Sequence, residues 1–288
     1  MNWEETIQYI RTIPEYSELV EKAYFDEDLM LNVKRFAKSE EFEKTLALIE
    51  NYQPHAKKVL DIGCGNGISA INFALKGFEV TAVEPDPSET VGAGAIRKLK
   101  TINKLDNIEI HEALAEDIQF EDAIFDVVYI RQAMHHAMDL NKFIKEAVRV
   151  LKPNGLLLTI RDHVIFNEKD KQWFLENHPL QKFYGGENAY TPKEYKNAFL
   201  LAGASIIEEL KYYDSVINYF PVTTKEKEAM KQQYFHKHKL LLKNKLGILA
   251  NLPFVFEMYK LAKEINHSKV YDESKVPGRM YSYIAIKQ

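Results

Sequence analysis

The stretch VLDIGCGNGIS, residues 59–69, sets three glycines at alternate positions behind an apolar run and Asp61. Glycines in such a turn let the backbone take positive φ and approach a bound molecule closely. A dinucleotide-binding turn wants glycines at its first, third and sixth positions. Here those are Gly63, Gly65 and Ile68, so the third glycine is missing, and Gly67 makes the pattern G-x-G-x-G instead. The turn also holds the single cysteine, Cys64. A reactive thiol needs a basic neighbour to lower its pKa, and none adjoins it, so Cys64 reads as a small turn residue. Glu84 closes the next apolar run in TAVEPD. An acidic side chain about 20 residues past such a turn is placed to accept ribose hydroxyls. His135 and His136 follow the run FDVVYI, and His163 follows GLLLTI. A neutral imidazole at a strand end is a candidate base near neutral pH, and the bland alternative for each is packing at a helix start.

Five short apolar runs position these residues: KVLDI, FEVTAV, IEIHEA, FDVVYI and GLLLTI, spread over residues 58–160. Helical stretches separate them. Strand and helix alternating at this length predict βαβ units and a parallel sheet. Gly77 sits where a helix C-cap belongs, and KPNG (152–155) predicts a turn before the fifth strand. Residues 1–50 read as helices, with Ile7, Ile10 and Ile13 and then Phe42, Leu46 and Ile49 at helical spacing. TPKEYKNAFLLAGA predicts a helix with Thr191 as N-cap and Pro192 in its first turn. SIIEELKYYD reads as a strand, residues 215–276 as a helical excursion, and MYSYIAIK as a closing strand. Within the excursion Phe254, Met258, Leu261 and Ile265 form one apolar face after Pro253.

The 288 residues are 46% hydrophobic and 28% charged, with net charge −4. This near-neutral balance argues against a general nucleic-acid binder. One cysteine excludes an intramolecular disulfide and suits a reducing compartment. The N-terminal residues lack the basic start and apolar run of a secretory signal. The apolar stretch LGILANLPFVF (246–256) has 11 residues, against the roughly 20 that a membrane-spanning helix needs. A cytoplasmic location is expected.

The G-x-G-x-G turn with Asp61 before it resembles the cofactor loop of class I S-adenosylmethionine-dependent methyltransferases. The resemblance continues through EALAEDIQF, FDVVYIRQAMHHAMD and EAVRVLKPNGLLLTI, so it covers residues 58–160, and MYSYIAIK is similar to the strand that ends that fold. It implies a Rossmann-like, doubly wound α/β fold with a mostly parallel seven-stranded sheet. A helical cap (1–50) and a helical insertion (215–276) would flank the core (51–214 with 277–288). It implies S-adenosylmethionine as cofactor, cradled by Gly63, Cys64 and Gly65. Asp61 would orient the turn or face the methionine ammonium, and Glu84 with Pro85 would lie at the ribose. Ala115 and Glu116 would border the adenine, and Leu114 stands where relatives often carry an aspartate. Arg131 and Arg35 are further candidate cofactor contacts, and Tyr24 is a candidate for the cofactor tail or the acceptor.

Direct displacement from a sulfonium needs positioning, and a base when the acceptor must lose a proton. RQAM stands where amino-methylating relatives carry an Asn/Asp-Pro-Pro-Tyr/Phe motif, and the one cysteine lies in the cofactor turn, so neither adenine amino groups nor pyrimidine carbons are the expected acceptor. The expectation is a small-molecule, glycan or lipid-linked acceptor, with His135 and His163 as candidate bases and no metal. Arg161 is a candidate anchor for an anionic acceptor. HPLQKFYGGENAYTP, with Tyr184, Gly185, Gly186, Glu187 and Tyr190, is either a pocket-lining loop or a structural corner. Residues 225–245 carry seven lysines and two glutamates. They form a solvated helix face or attract RNA, a lipid surface or an acidic acceptor. Two other readings stay open: a cofactor-binding partner protein without catalysis, and an RNA methyltransferase.

Overall fold

The computed structural model describes every residue except Glu264 and Asn266. The chain forms two compact units, one of residues 1–218 with 277–288 and one of residues 219–276. The first unit opens with four helices, α1 (Trp3–Arg11), α2 (Ser17–Lys22), α3 (Leu29–Ala37) and α4 (Glu40–Tyr52). The alternating region follows: β1 (Lys58–Ile62), α5 (Ile68–Leu75), β2 (Glu79–Val83), α6 (Ala93–Asn103), β3 (Ile108–His111), β4 (Phe125–Arg131), α7 (Leu140–Val150) and β5 (Leu151–His163). Then come α8 (Glu168–Asn177), α9 (Pro192–Leu201), β6 (Ala204–Leu210) and, after the second unit, β7 (Met280–Lys287).

The seven strands lie in the order β3-β2-β1-β4-β5-β7-β6, parallel except for β7, which runs antiparallel to both neighbours. This is the α/β fold that the strand–helix alternation predicts. Parallel strands covered on both faces read as unbroken apolar runs, and Val59–Ile62 and Val127–Ile130 are fully buried. The strand order reverses between β1 and β4. Open α/β sheets bind ligands beyond the strand ends at that switch, and the glycine turn leaves β1 there.

α5 begins on Gly67, at φ +81°, and buries Ile68 through Ala74. A helix apolar on every side fits only between a sheet and a second layer, and the N-terminal helices supply that layer. Asn66 Nδ2 donates to Tyr24 O at 2.7 Å and Asn72 Nδ2 donates to Val33 O at 3.0 Å. α9 starts as its sequence predicts, Thr191 and Glu194 closing a reciprocal capping box with Pro192 in the first turn.

KPNG departs from its expected turn. The strand continues through it as a bulge, Phe125 pairing with Leu151 and Val127 with Leu156, and Asn154 takes φ +59°. A second irregularity in β5 has direct consequences for the site. Pairing with β7 slips between Thr159 and Asp162, and Arg161 adopts φ +62°. Bulges of this kind re-aim side chains beside functional sites.

The second unit consists mainly of α10 (Val216–Tyr219, crossing its boundary), α11 (Thr224–Leu246), α12 (Pro253–Ala262) and α13 (His267–Val270). Inside it Lys227 Nζ lies 4.7 Å from the Tyr219 ring centroid and 4.9 Å from that of Tyr271. The expected apolar face of α12 is open. Phe254, Met258 and Leu261 are exposed, and of that set only Ile265, beyond the helix end, is buried. No helix among the described residues is long and apolar enough to cross a membrane.

Candidate functional site

Gly63 and Gly65 carry φ +67° and +53°. A Cβ on Gly63 would sit 2.6 Å from the Ala133 Cβ, so the turn packs directly on the segment after β4. Gly63 N–H donates to Val83 O at 2.8 Å. Gly65 N–H donates to Glu84 Oε2 at 2.7 Å and Asp86 N–H to Glu84 Oε1 at 3.0 Å. The β2 end and the glycine turn are thereby one hydrogen-bonded piece. Burial raises the Glu84 pKa to about 7 against the lowering effect of those two donors. Asp61 lies beneath the turn, fully buried, with Ser69 Oγ donating to Oδ2 at 2.5 Å; burial raises its pKa to about 7 as well. Cys64 Sγ points inward, 3.5 Å from Val83 O, and burial raises its pKa. That matches a turn residue rather than a nucleophile.

A cavity of about 460 Å³ opens beside the turn, within the range of small-ligand sites. Gly63, Gly65, Glu84, Pro85, Ala115 and Glu116 line it. Leu114 lines it too, and Glu116 Oε1 accepts the Met138 N–H at 2.9 Å, tying the β3 and β4 loops together. Asp61 and Cys64 support the turn from behind and are not part of the lining. The rim adds Trp3 of α1 and Tyr184, whose rings lie 5.3 Å apart, together with Gly186 and His136. Tyr184 and Gly186 stand in the YGG loop already singled out. Trp3 was not foreseen, because one aromatic near the start of an amphipathic helix carries no spacing signal.

Two expected cofactor contacts are engaged elsewhere. Arg35 pairs with Asp26 and, at 3.8 Å, with Glu21. Arg131 Nε lies 2.6 Å from Glu41 Oε1, and Arg161 Nη1 lies 2.9 Å from Glu41 Oε2. Glu41 is fully buried, yet its pKa is lowered, the two guanidiniums outweighing the burial that pushes it up. Arg131 also stacks over Phe36, 5.4 Å from the ring centroid. Neither Arg35 nor Arg131 lines the cavity. The position of Arg161 follows from the bulge, which turns its side chain toward α4 and turns the next residue, Asp162, toward His135.

The expected bases also lie behind the cavity wall. His135 Nδ1 is 2.9 Å from Asp162 Oδ1, and His135 Nε2 is 3.5 Å from Glu187 Oε2. Burial works against its proton, but the two carboxylates prevail and hold its pKa at about 9. An imidazolium held between carboxylates has no lone pair to accept a proton, which sets His135 apart from the neutral base expected of it. His163 is buried with Nδ1 on Gly278 O at 2.8 Å; burial first, then the neighbouring His135, push its pKa well down. It too is absent from the lining. His136 does line the cavity, and burial and the charge on His135 draw its pKa down to about 4.

Residues 60–159 match the family described as "Methyltransferase domain". Over 130 residues the chain is 32% identical to the uncharacterized methyltransferase YcgJ of Bacillus subtilis, covering 45% of this chain and 49% of that one. It is 31% identical over 112 residues to the ubiquinone biosynthesis O-methyltransferase of Rickettsia akari, covering 38% and 42%. The chain thus spans about half the length, or less, of these curated relatives. The solved structure of YcgJ superposes with TM-score 0.51 at 19% identity over 86% of this chain and 99% of that one. A geranyl diphosphate C-methyltransferase from Streptomyces coelicolor A3(2) gives TM-score 0.56 at 13% identity over 85% and 76%. The G-x-G-x-G turn, the acidic β2 end and the antiparallel last strand thus lie in one fold, whose segment 60–159 matches a methyltransferase domain.

Proposed function

We propose that this chain transfers the methyl group of S-adenosylmethionine to a small-molecule acceptor. The observation that carries the reading is the cavity at the β1/β4 switch, walled by the Gly63–Gly65 turn on one side and Glu84 on the other. Its residues suit the cofactor. The turn presents backbone rather than side chains, and Glu84 keeps acceptor capacity beyond the two backbone N–H groups it already takes, because a carboxylate offers about four lone-pair sites. When bound, S-adenosylmethionine supplies an electrophilic methyl on a cationic sulfur. Glu84 would accept the ribose hydroxyls, Leu114 and Ala115 would flank the adenine, and the buried Asp61 would hold the turn in place. Trp3 and Tyr184 would close the rim and keep water from the reacting centre.

In the transfer, an acceptor heteroatom or activated carbon forms the bond to the methyl carbon as the carbon–sulfur bond breaks, with its electron pair staying on sulfur. A hydroxyl or ammonium acceptor also releases a proton. His136 is the histidine of the lining, neutral at physiological pH and placed to receive it. Relatives named for ubiquinone and tocopherol O-methylation and for sterol C-methylation support an acceptor of small-molecule size. A cytoplasmic location, with the lysines of α11 as a solvated helix face, completes the reading. Incubation with methyl-labelled cofactor and extracts of the source cell, followed by mass-spectrometric identification of the labelled product, tests it. Label found only in macromolecular RNA, or cofactor binding without any labelled product, would overturn the small-molecule reading.

A further inference from the structure

We propose that His135, His163 and Glu187 form a binding site for a divalent transition-metal ion of the zinc(II) or iron(II) class, directly behind the cavity wall. One ligand-capable atom from each of the three lies within 4.8 Å of the others. Both imidazoles are already oriented as metal ligands are. His135 Nδ1 faces Asp162 Oδ1 at 2.9 Å, and His163 Nδ1 faces the Gly278 carbonyl at 2.8 Å. Metal-bound histidines typically donate the far N–H to a carboxylate or a backbone carbonyl, which fixes the tautomer and turns the other nitrogen to the ion. Here one ring has each kind of partner.

The carboxylate completes the set. Glu187 Oε2 approaches His135 Nε2 to 3.5 Å, yet it is buried without a hydrogen-bond partner, as are His178 Nδ1 and Asp162 Oδ2. His178 Nδ1 stands 3.7 Å from Glu187 Oε1, and its ring centroid 5.7 Å from that of His163, so it is placed as a fourth donor. Buried polar atoms are nearly always satisfied, and a group of orphans in one spot calls for a missing ion or water. Gly278 is adapted to this cluster: at φ +61° a Cβ there would strike the Phe174 ring and lie 3.3 Å from His163 Nδ1. Two or three imidazoles with one carboxylate suit zinc or iron(II) rather than calcium or magnesium, which prefer oxygen ligands. Ligands about 2.1 Å from a tetrahedral ion stand about 3.4 Å apart, so with all three atoms within 4.8 Å of one another binding draws the widest pair in by at most about 1.4 Å. Glu187, on the loop after Gly185 and Gly186, is the ligand free to make that move. The ion takes the place of the proton that His135 otherwise holds between two carboxylates.

Cobalt(II) is the probe, because its visible absorption reports ligand geometry. The full chain, stripped with a chelator and dialysed, is titrated with cobalt(II) and then with zinc(II) as competitor. One saturable equivalent is expected, displaced by zinc, with a melting temperature that climbs with metal concentration. Glu187→Gln and His163→Gln should each weaken cobalt binding by about 100-fold or more, and Asp162→Asn by about 10- to 100-fold. His236→Gln, on α11, should leave it unchanged. Metal-free melting curves of each variant separate lost ligation from lost folding, and Glu187→Gln, on a loop, is the variant least exposed to that ambiguity. No saturable binding to the wild type, or binding that survives both Glu187→Gln and His163→Gln, overturns the site. The inference stands apart from the proposed methyl transfer: calorimetry with S-adenosylmethionine on the same metal-free protein reports on that reading separately.

Discussion

Glu84 Oε2 accepts the Gly65 N–H at 2.7 Å, so the acid at the end of β2 is also the clasp of the glycine turn. Its substitution therefore has two effects to separate. Glu84→Ala should weaken S-adenosylmethionine binding by about 1–3 kcal/mol through lost charge-assisted hydrogen bonds. Calorimetry that finds unchanged affinity would remove Glu84 from the site.

The pH dependence of that affinity follows from the same burial. The Glu84 pKa is raised from its ordinary 4.5 to about 7, and the ionised form is the one that accepts two ribose hydroxyls. Cofactor binding should tighten as pH rises from 6 to 8 and weaken as pH falls through 7. Asp61, also near 7, acts on the same range. Glu84→Gln distinguishes them: the pH slope should flatten with Glu84 as its source and persist with Asp61 as its source.

Glu41 holds Arg131 and Arg161 together inside the first unit. Removing one member of a buried charge cluster leaves the others uncompensated, at a cost of about 3–5 kcal/mol. Glu41→Gln keeps the shape and removes the charge, so urea unfolding should show a loss of that size. A loss below about 1 kcal/mol would mean that the two guanidiniums find other partners, and that α4 is held by its apolar face alone.

The packing of Gly63 on Ala133 predicts a rescue. Gly63→Ala brings a Cβ to 2.6 Å from the Ala133 Cβ, at a φ of +67°. Overpacking and left-handed strain should destabilise the fold by about 1–3 kcal/mol and loosen the cofactor cradle. The double variant Gly63→Ala with Ala133→Gly removes the clash and keeps the strain. It should recover part of the melting temperature, and no recovery would show that strain dominates.

The sheet and the glycine-turn side of the cavity were legible because they rest on local rules. Unbroken apolar runs mark covered parallel strands, and a glycine turn followed about 20 residues later by an acid fixes Gly63, Gly65 and Glu84 together. Tertiary partners decided the rest. Arg131 reads as a residue reaching toward a ligand until Glu41, 90 positions earlier, takes its guanidinium. The KPNG segment carries turn residues, yet pairing with β4 resumes at Leu156 and leaves it a bulge. The histidines stood at strand ends as expected. Their partners were not legible, because an irregular backbone at Arg161 turns Asp162 onto His135, and no periodicity in the sequence encodes that.

Turnover should accordingly depend on His136 in a way that it does not depend on its neighbours. Among the described residues it is the histidine that lines the cavity, and its pKa, drawn down to about 4, leaves it neutral across the physiological range, with a free lone pair of low basicity. Removing a general base lowers turnover by about 100- to 10,000-fold and leaves cofactor affinity nearly unchanged. His136→Gln should show that split on the identified acceptor, and the wild-type kcat should stay flat from pH 8 down to about 5. His163→Gln, behind the lining, should act through melting temperature and through KM and kcat together. If His136→Gln keeps turnover within about threefold of wild type, the acceptor loses its proton to water or arrives already deprotonated, and the catalysis is positioning alone.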